Sequence, residues 1–185
     1  TESYNGSAWR EVADLNNSRK EASGAGIQTA ALCFAGDAPG YVTDSETWNG
    51  SAWTEGNNIN SARGTGGGAG ITTSALLVGG FTPGGRSALC EKYDGTSWSE
   101  TGDIPTAYMY VTATGATNTA ALQVGGDGPP TVVKCALFNG TSWTETGDLN
   151  TARSQMASFG ITTSAIGCGG DAPGVSALTE EFDGS

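Results

Sequence analysis

Arginine, carboxylate and aromatic side chains recur at fixed spacings, and these residue types can bind charged groups or ligand rings. Four equivalent positions, each ten residues after a tryptophan, are Arg19, Arg63, Tyr108 and Arg153. In two repeats an aspartate follows the arginine, which gives the pairs Arg19 with Asp37 and Arg153 with Asp171. Because arginine and carboxylate form charge-assisted hydrogen bonds, the spacing predicts a repeated ion pair that stabilises the fold.

The two middle repeats depart from this pattern in opposite ways. Phe81 stands where Arg63 would need an aspartate, and Tyr108 stands where Asp127 would need an arginine. The unpaired Arg63 and Asp127 could pair with each other or with water. The sharper hypothesis is an asymmetric binding patch, because arginine and aromatic residues dominate binding hot spots. Its members are Arg63, Phe81, Arg86, Tyr108, Tyr110 and Asp127.

The residue type used most often in general acid–base catalysis and in metal binding is missing from the sequence. The chain has no histidine, so it has neither the usual general base nor the commonest metal ligand. Glutamates lie at two repeated positions, two residues after each Trp and two before each aromatic of the repeat: Glu11, Glu55, Glu100 and Glu145, and Glu2, Glu46, Glu91 and Glu180. Spread over separate repeats, they favour a solvated acidic rim over a calcium site. We expect a protein that is not an enzyme and uses neither a metal nor a cofactor.

The charge balance argues against two classes of partner. Eight basic residues against 19 acidic ones give a formal net charge of −11. Such a chain repels the phosphates of nucleic acids and anionic lipid headgroups. The sequence also has no apolar run of the roughly 20 residues that a membrane helix needs. Nucleic acid and membrane are therefore not expected partners.

An internal repeat organises the whole chain. The motif appears four times, as YNGSAW, WNGSAW, YDGTSW and FNGTSW, and ends at Trp9, Trp53, Trp98 and Trp143. Repeats start near Thr1, Ser45, Cys90 and Cys135, and a partial repeat covers 179–185. Repeats of about 45 residues are typical of propeller blades. We therefore expect residues 1–185 to form a single repeat domain.

Each repeat predicts four short strands. Asn-Gly or Asp-Gly between aromatic residues predicts a hairpin, with a type I′ turn whose central residues need positive φ. A second hairpin is predicted where Gly-Ile-Gln-Thr or its equivalents precede the Ala/Leu runs that start near Ala30, Ser74 and Ala120. Four antiparallel strands of this total length make one blade, so the fold class is all-β and the architecture is a β-propeller.

In its landmarks the repeat resembles the kelch repeat. An arginine, a glycine-rich strand, an apolar strand ending in Gly-Gly, an aromatic residue and a Trp follow one another, with departures at Tyr108 and Ala35. The resemblance implies strands a to d, ordered from the axis outward. Strand a then holds small residues, as in Gly24–Gly26 and Gly66–Gly70, which suits the narrow centre of four blades. The equivalent Trp residues are expected to wedge between blades.

The two ends of the chain repeat the same motif. TESYNGS at 1–7 matches TEEFDGS at 179–185, so one copy of strand c is in surplus. We expect a four-bladed ring whose closing blade is shared between the N- and C-termini, as a monomer. The alternatives are a swapped oligomer and a fragment of a larger propeller.

The expected function follows from the propeller and from the missing catalytic groups. Antiparallel strand order places the d–a and b–c connections at the same end of every blade. We expect a non-catalytic binding or interaction scaffold that uses this face to bind a protein or a glycan. The alternatives are a lectin-like propeller with equivalent sugar sites, and a structural fragment of a larger propeller.

Overall fold

The computed structural model describes residues 1–128 and 131–185, and the strands found there confirm an all-β, four-bladed propeller. The nineteen strands are β1 (Glu2–Tyr4), β2 (Trp9–Glu11), β3 (Ser23–Ile27), β4 (Ala30–Phe34), β5 (Ser45–Trp48), β6 (Trp53–Glu55), β7 (Gly67–Ile71), β8 (Ser74–Val78), β9 (Phe81–Thr82), β10 (Gly85–Arg86), β11 (Cys90–Tyr93), β12 (Trp98–Glu100), β13 (Thr112–Thr117), β14 (Ala120–Val124), β15 (Cys135–Phe138), β16 (Trp143–Glu145), β17 (Ala157–Ile161), β18 (Ser164–Cys168) and β19 (Thr179–Phe182).

The blades are antiparallel sheets whose strands follow one another in chain order, and in blade II the hairpin β9–β10 intervenes between the second and third strands. Blade I is β3-β4-β5-β6, blade II is β7-β8-β11-β12, and blade III is β13-β14-β15-β16. Blade IV is β17-β18-β19, and β1 and β2 form a separate N-terminal hairpin. Strands β9 and β10 form a small hairpin within the b–c connection of blade II. Strands β3, β7, β13 and β17 are the innermost of their blades, as predicted.

The apolar core lies between blades. One cluster joins blades I and II through Leu32, Phe34 and Trp98, and another joins blades II and III through Leu76 and Trp143. A third, smaller cluster joins blades III and IV. Successive residues of a strand point to opposite faces, so the second strands of blades II and III, β8 and β14, each supply apolar side chains to both neighbouring junctions. A blade is therefore stabilised chiefly by its neighbours.

The hairpin between strands c and d forms as predicted, but its turn type was wrongly predicted. Tyr4 pairs with Trp9, which leaves the four residues Asn5 to Ala8 in the turn. Only Gly6 has positive φ, at 95°, whereas a type I′ turn needs two such residues. The Asn5 side-chain oxygen instead accepts the backbone N–H groups of Ser7 and Ala8, both at 2.9 Å. A side-chain acceptor replaces the second left-handed residue.

The predicted arginine–aspartate pairs are wrong in their partner. Arg19 binds Glu46 at 2.7 Å, and the side chains of both residues are buried. Arg153 likewise binds Glu180 at 2.8 Å rather than Asp171. Asp37 pairs with Lys20 and accepts the Gly40 N–H, while Asp171 accepts the Gly174 N–H.

Arg63 is also paired, contrary to the sequence-based expectation. Its Nη1 donates to Glu91 at 2.6 Å, and both side chains are buried. Asn60 donates its backbone N–H and its side-chain N–H to the same carboxylate, at 2.7 and 2.8 Å. Asn16 does the same for Glu46 and Asn150 for Glu180. Three glutamates expected on a solvated rim therefore anchor a repeated Arg–Glu–Asn network instead.

In blade III all three members of the network are replaced together. Tyr108, Ala136 and Pro105 occupy the positions of the arginine, the glutamate and the asparagine. The ring of Tyr108 is buried in the apolar cluster between blades II and III, and Ala136 belongs to the same cluster. The joint replacement avoids an unpaired buried charge.

The shared closing blade does not form as one hydrogen-bonded sheet. At three junctions a glycine N–H donates across the blades to the carbonyl that starts the next one, each at 2.9 Å: Gly36 to Arg63, Gly80 to Tyr108, and Gly126 to Arg153. The equivalent bond from Gly170 to Arg19 is not formed, and β17 does not pack on β3 as the other inner strands pack on one another. The hairpin β1–β2 contacts blade I, and β19 occupies the strand-c position of blade IV.

Replacing Glu91 alone should be costly, because Arg63 would keep a buried charge without a partner. We expect Glu91→Ala to lower the free energy of unfolding by about 3–5 kcal/mol. Installing the blade III set, Asn60→Pro with Arg63→Tyr and Glu91→Ala, should recover part of that loss. Urea denaturation measures the free energy of unfolding of both variants. The control is Glu100→Ala, at an exposed residue, and we expect its stability to lie within about 0.5 kcal/mol of the parent. A triple variant less stable than Glu91→Ala would contradict this account.

Stability should fall in acid through the same network. Burial acts to raise the pKa of Glu46 and Glu180, but the hydrogen bonds from asparagine and arginine outweigh it and hold both below the ordinary 4.5. The carboxylates of Glu46 and Glu180 therefore bind protons more readily in the unfolded chain than in the folded one. This contribution to stability is complete above about pH 4.5 and is lost as the pH falls through the folded-state values.

Melting temperatures from neutral pH to about pH 3 test this. Glu46→Gln should show a smaller acid-induced drop than the parent, whereas Glu100→Gln should keep the parental drop. Equal drops in the parent and Glu46→Gln would contradict the assignment.

Candidate functional site

The d–a and b–c connections meet at one end of every blade, as predicted. Short backbone bridges join the two connections within each blade: Lys20 to Asp37, Gly64 to Phe81, Met109 to Asp127 and Ser154 to Asp171. We call this surface the loop face. Its centre is a cavity of about 370 Å³, bordered by the segments that enter strands β3, β7, β13 and β17. We call this cavity the mouth, since it is the loop-face end of the central channel.

Four residues in a left-handed conformation surround the mouth, one from each blade. They are Glu21 at φ 56°, Thr65 at 59°, Tyr110 at 51° and Gln155 at 55°. Left-handed residues other than Gly, Asn and Asp are uncommon, and a β-branched residue such as Thr is especially disfavoured there. Because four left-handed residues lie at equivalent positions, the fold itself imposes this conformation there.

Backbone hydrogen bonds between neighbouring blades hold this conformation. The Thr65 N–H donates to the Glu21 carbonyl, and the Gln155 N–H donates to the Tyr110 carbonyl, both at 3.1 Å. Glycine would adopt the conformation at least cost, yet the four side chains are an acid, an alcohol, a phenol and an amide. Backbone strain of this kind is concentrated at functional sites, where the surrounding structure compensates for it.

Thr65, which borders the mouth, has a buried polar atom without a partner. Its residue is only 8% exposed, and its hydroxyl oxygen has no hydrogen-bond partner. An unpaired buried hydroxyl is costly, so such groups usually have a partner. The Thr65 hydroxyl is therefore an unsatisfied buried group beside the mouth.

Aromatic and charged side chains extend the loop face beyond the mouth. Tyr41 and Phe81, from adjacent blades, lie with ring centroids 5.9 Å apart. Burial first, then the Glu21 and Asp37 carboxylates, raise the pKa of Tyr41, so its hydroxyl remains a hydrogen-bond donor at neutral pH. Arg86 pairs with Asp127 across blades II and III at 3.2 Å, and both are partly exposed.

The six residues predicted as a binding patch separate into two groups. Phe81, Arg86, Tyr110 and Asp127 lie on the loop face. Arg63 and Tyr108 are buried in the packing between blades, so their side chains are not available to a ligand. Asp127, predicted to lack a partner, has Arg86.

Sequence reasoning missed Glu21, Thr65 and Gln155. They occupy one repeat position, two residues after the Arg or Tyr, but four different residue types there give no motif. The Arg–Glu–Asn network did leave a signal, because its three members disappear together in the third repeat.

The repeat Trp residues serve packing, as predicted, in two blades. Trp98 contacts Phe34 of blade I with ring centroids 4.8 Å apart, and the Trp143 indole N–H donates to the Gly102 carbonyl at 2.9 Å. Trp53 donates to the Thr1 hydroxyl in the hairpin. Trp9 is the exception, since it is 67% exposed.

Within residues 1–128 and 131–185, no three Cys, Asp or Glu side chains are grouped closely enough to hold a metal ion. No helix in those ranges is long and apolar enough to cross a bilayer. No protein-family model matches the chain, and a search of curated proteins finds no match.

At Thr65 glycine should be a more stable replacement than alanine, because glycine relieves the backbone strain. Glycine tolerates φ 59° whereas alanine does not, so we expect Thr65→Gly to exceed Thr65→Ala in unfolding free energy by about 1 kcal/mol. Both changes remove the unpaired hydroxyl, so their difference isolates the backbone. Thermal or urea denaturation measures it, and an equal or lower stability of the glycine variant would contradict the assigned strain.

Proposed function

We propose that the chain is a kelch-like, non-catalytic binding scaffold whose ligand enters the mouth of the loop face. The observation that carries the proposal is the ring of four left-handed residues, Glu21, Thr65, Tyr110 and Gln155. Four different side chains are kept in a disfavoured conformation around one cavity. Packing alone would be served as well by glycine, so the side chains themselves explain the cost.

The size and chemistry of the mouth suit a polar ligand segment. At about 370 Å³ it falls within the range of pockets that hold small ligands. Its lining includes Glu21, Gln155 and Tyr110, which carry a carboxylate, an amide and a phenol, and the apolar Met156. A short protein loop or a sugar ring presents matching donors, acceptors and an apolar face.

The differences among the four blades favour one ligand per chain. The mouth is shared by all blades, and each contributes a different side chain. A lectin-like protein with repeated sugar sites would need equivalent exposed rings, whereas Trp98 and Trp143 are buried between blades. Repeated stacking on the motif Trp residues is therefore not favoured.

A substitution that preserves the backbone tests the mouth. The double change Tyr110→Gly and Gln155→Gly removes two side chains while the backbone keeps its positive φ. The parent chain is screened on a glycan array and a peptide array, and hits are titrated by calorimetry. We expect one site per chain, and at least about tenfold weaker binding of the double variant.

The control removes two side chains from the outer strands. Glu100→Ala with Glu145→Ala changes exposed residues remote from the mouth and should leave the binding of each hit unchanged. Three or four equal sites per chain would support the lectin-like alternative. Binding that the mouth variant leaves intact, or no ligand on either array, would overturn the proposal.

A further inference from the structure

We call the face of a blade that packs on the next blade in the chain its forward face. The forward face is buried in blades I to III, whereas in blade IV it is exposed. Ile166 is 42% exposed, whereas its equivalent Leu76 in blade II is fully buried against blade III. Phe159, directly across from Ile166 in the sheet, is 63% exposed, while its equivalent Ala69 is buried. Blades I to III each have a following blade on this face.

Among the described residues the sheet of blade IV has three strands, and none of them carries a motif Trp. Phe182 stands where Phe138 does in blade III, but Phe138 packs on Trp143 at 4.9 Å. Beside Phe182 is a groove of about 60 Å³, lined by Leu122, Val124 and Gly147. Gly147 is equivalent to Gly102, whose carbonyl accepts the Trp143 indole N–H. The groove therefore has the position and the acceptor for one further Trp.

Near the other end of the sequence, the hairpin β1–β2 has a strand d and a motif Trp. The hairpin β1–β2 is a strand c and strand d pair without its a and b strands, and its Trp9 is exposed. Between this hairpin and blade I is a cavity of about 370 Å³, lined by Tyr4, Ala31, Trp48 and Trp53. At the junction of blades I and II the corresponding aromatic residues pack on strand b of the preceding blade.

We propose that blade IV of one copy docks into the end formed by the hairpin and blade I of a second copy. In this junction Ile166 and Phe159 fill the cavity beside Trp48 and Trp53. Trp9 of the second copy enters the groove beside Gly147, and strand β2 becomes the fourth strand of blade IV. Since β1 and β19 carry the matching sequences TESY and TEEF, one of them is redundant in the completed blade.

The three existing junctions identify the occupant, because each shows a forward face covered by the next repeat of this sequence. The hairpin is held to blade I by hydrogen bonds from Gln28 to Ser3 and Tyr4, at 2.7 and 2.6 Å. The inner strand β17 of blade IV does not pack on β3 of blade I in the same chain. The hairpin of one copy can therefore contact blade IV of a second copy. Such a head-to-tail contact is heterologous and either closes a ring or extends.

Charge sets a condition on this association. Each chain carries a net charge of −11, so two copies repel each other at low salt. Salt screens that repulsion and leaves the apolar contacts intact, so association should strengthen as salt rises. A contact held by surface ion pairs would weaken instead.

The test is the solution mass of the full chain against concentration, at low and at high salt, by light scattering or sedimentation. We expect the mass to rise from 18.6 kDa to multiples of it, more readily at high salt. Ile166→Lys and Trp9→Ala should each weaken association by at least about tenfold. The matched control Ile71→Lys, at an isoleucine 44% exposed at the end of strand β7 in blade II, should not change the association.

Mixing the two weakened variants gives an independent readout. Ile166→Lys keeps an intact hairpin and Trp9→Ala keeps an intact blade IV, so together they can form one junction. We expect a 1:1 dimer in the mixture while each variant alone stays monomeric at the same concentration. A parent that is monomeric at all concentrations, an effect of Ile71→Lys equal to that of Ile166→Lys, or a mixture without dimers would each overturn the proposal.

Discussion

The structure depends on the contact between neighbouring blades. A sheet of four short strands buries few of its own side chains, and the second strands of blades II and III divide their apolar residues between two junctions. Leu76 faces blade III while Leu77 faces blade I. Each blade is therefore stabilised by the presence of its neighbours, which is the behaviour of repeat proteins in general. The uneven exposure of blade IV follows from this dependence.

The buried Arg–Glu–Asn network adds a polar element to this apolar arrangement. In blades I, II and IV the arginine precedes strand a and the glutamate lies on strand c, so the ion pair spans the blade from its inner to its outer strands. The network also fixes the d–a connection, because asparagine donates its backbone N–H to the same carboxylate. In blade III, Tyr108 and its apolar packing fix the d–a connection instead. The two solutions show that the connection must be anchored, while the chemistry of the anchor can differ.

Anchored connections explain how strained residues persist around the mouth. Glu21, Thr65, Tyr110 and Gln155 each follow an anchor residue by two positions, and interblade hydrogen bonds hold their carbonyls or N–H groups. The rigid junctions compensate for the conformational cost at the axis. A surface on which equivalent backbones present different side chains is suited to asymmetric recognition.

The sequence determined the repeat, the strand order and the blade count, because glycine turns, alternating apolar residues and motif Trp residues act locally. It also predicted the end at which the connections meet, since that follows from antiparallel order. Only the tertiary structure decided the partner of each arginine. The glutamate that binds Arg63 lies 28 residues along the chain, and many acidic side chains were available at comparable separations. Likewise, the left-handed residues at the mouth and the open fourth junction arise from how blades pack, and packing leaves no motif within one repeat.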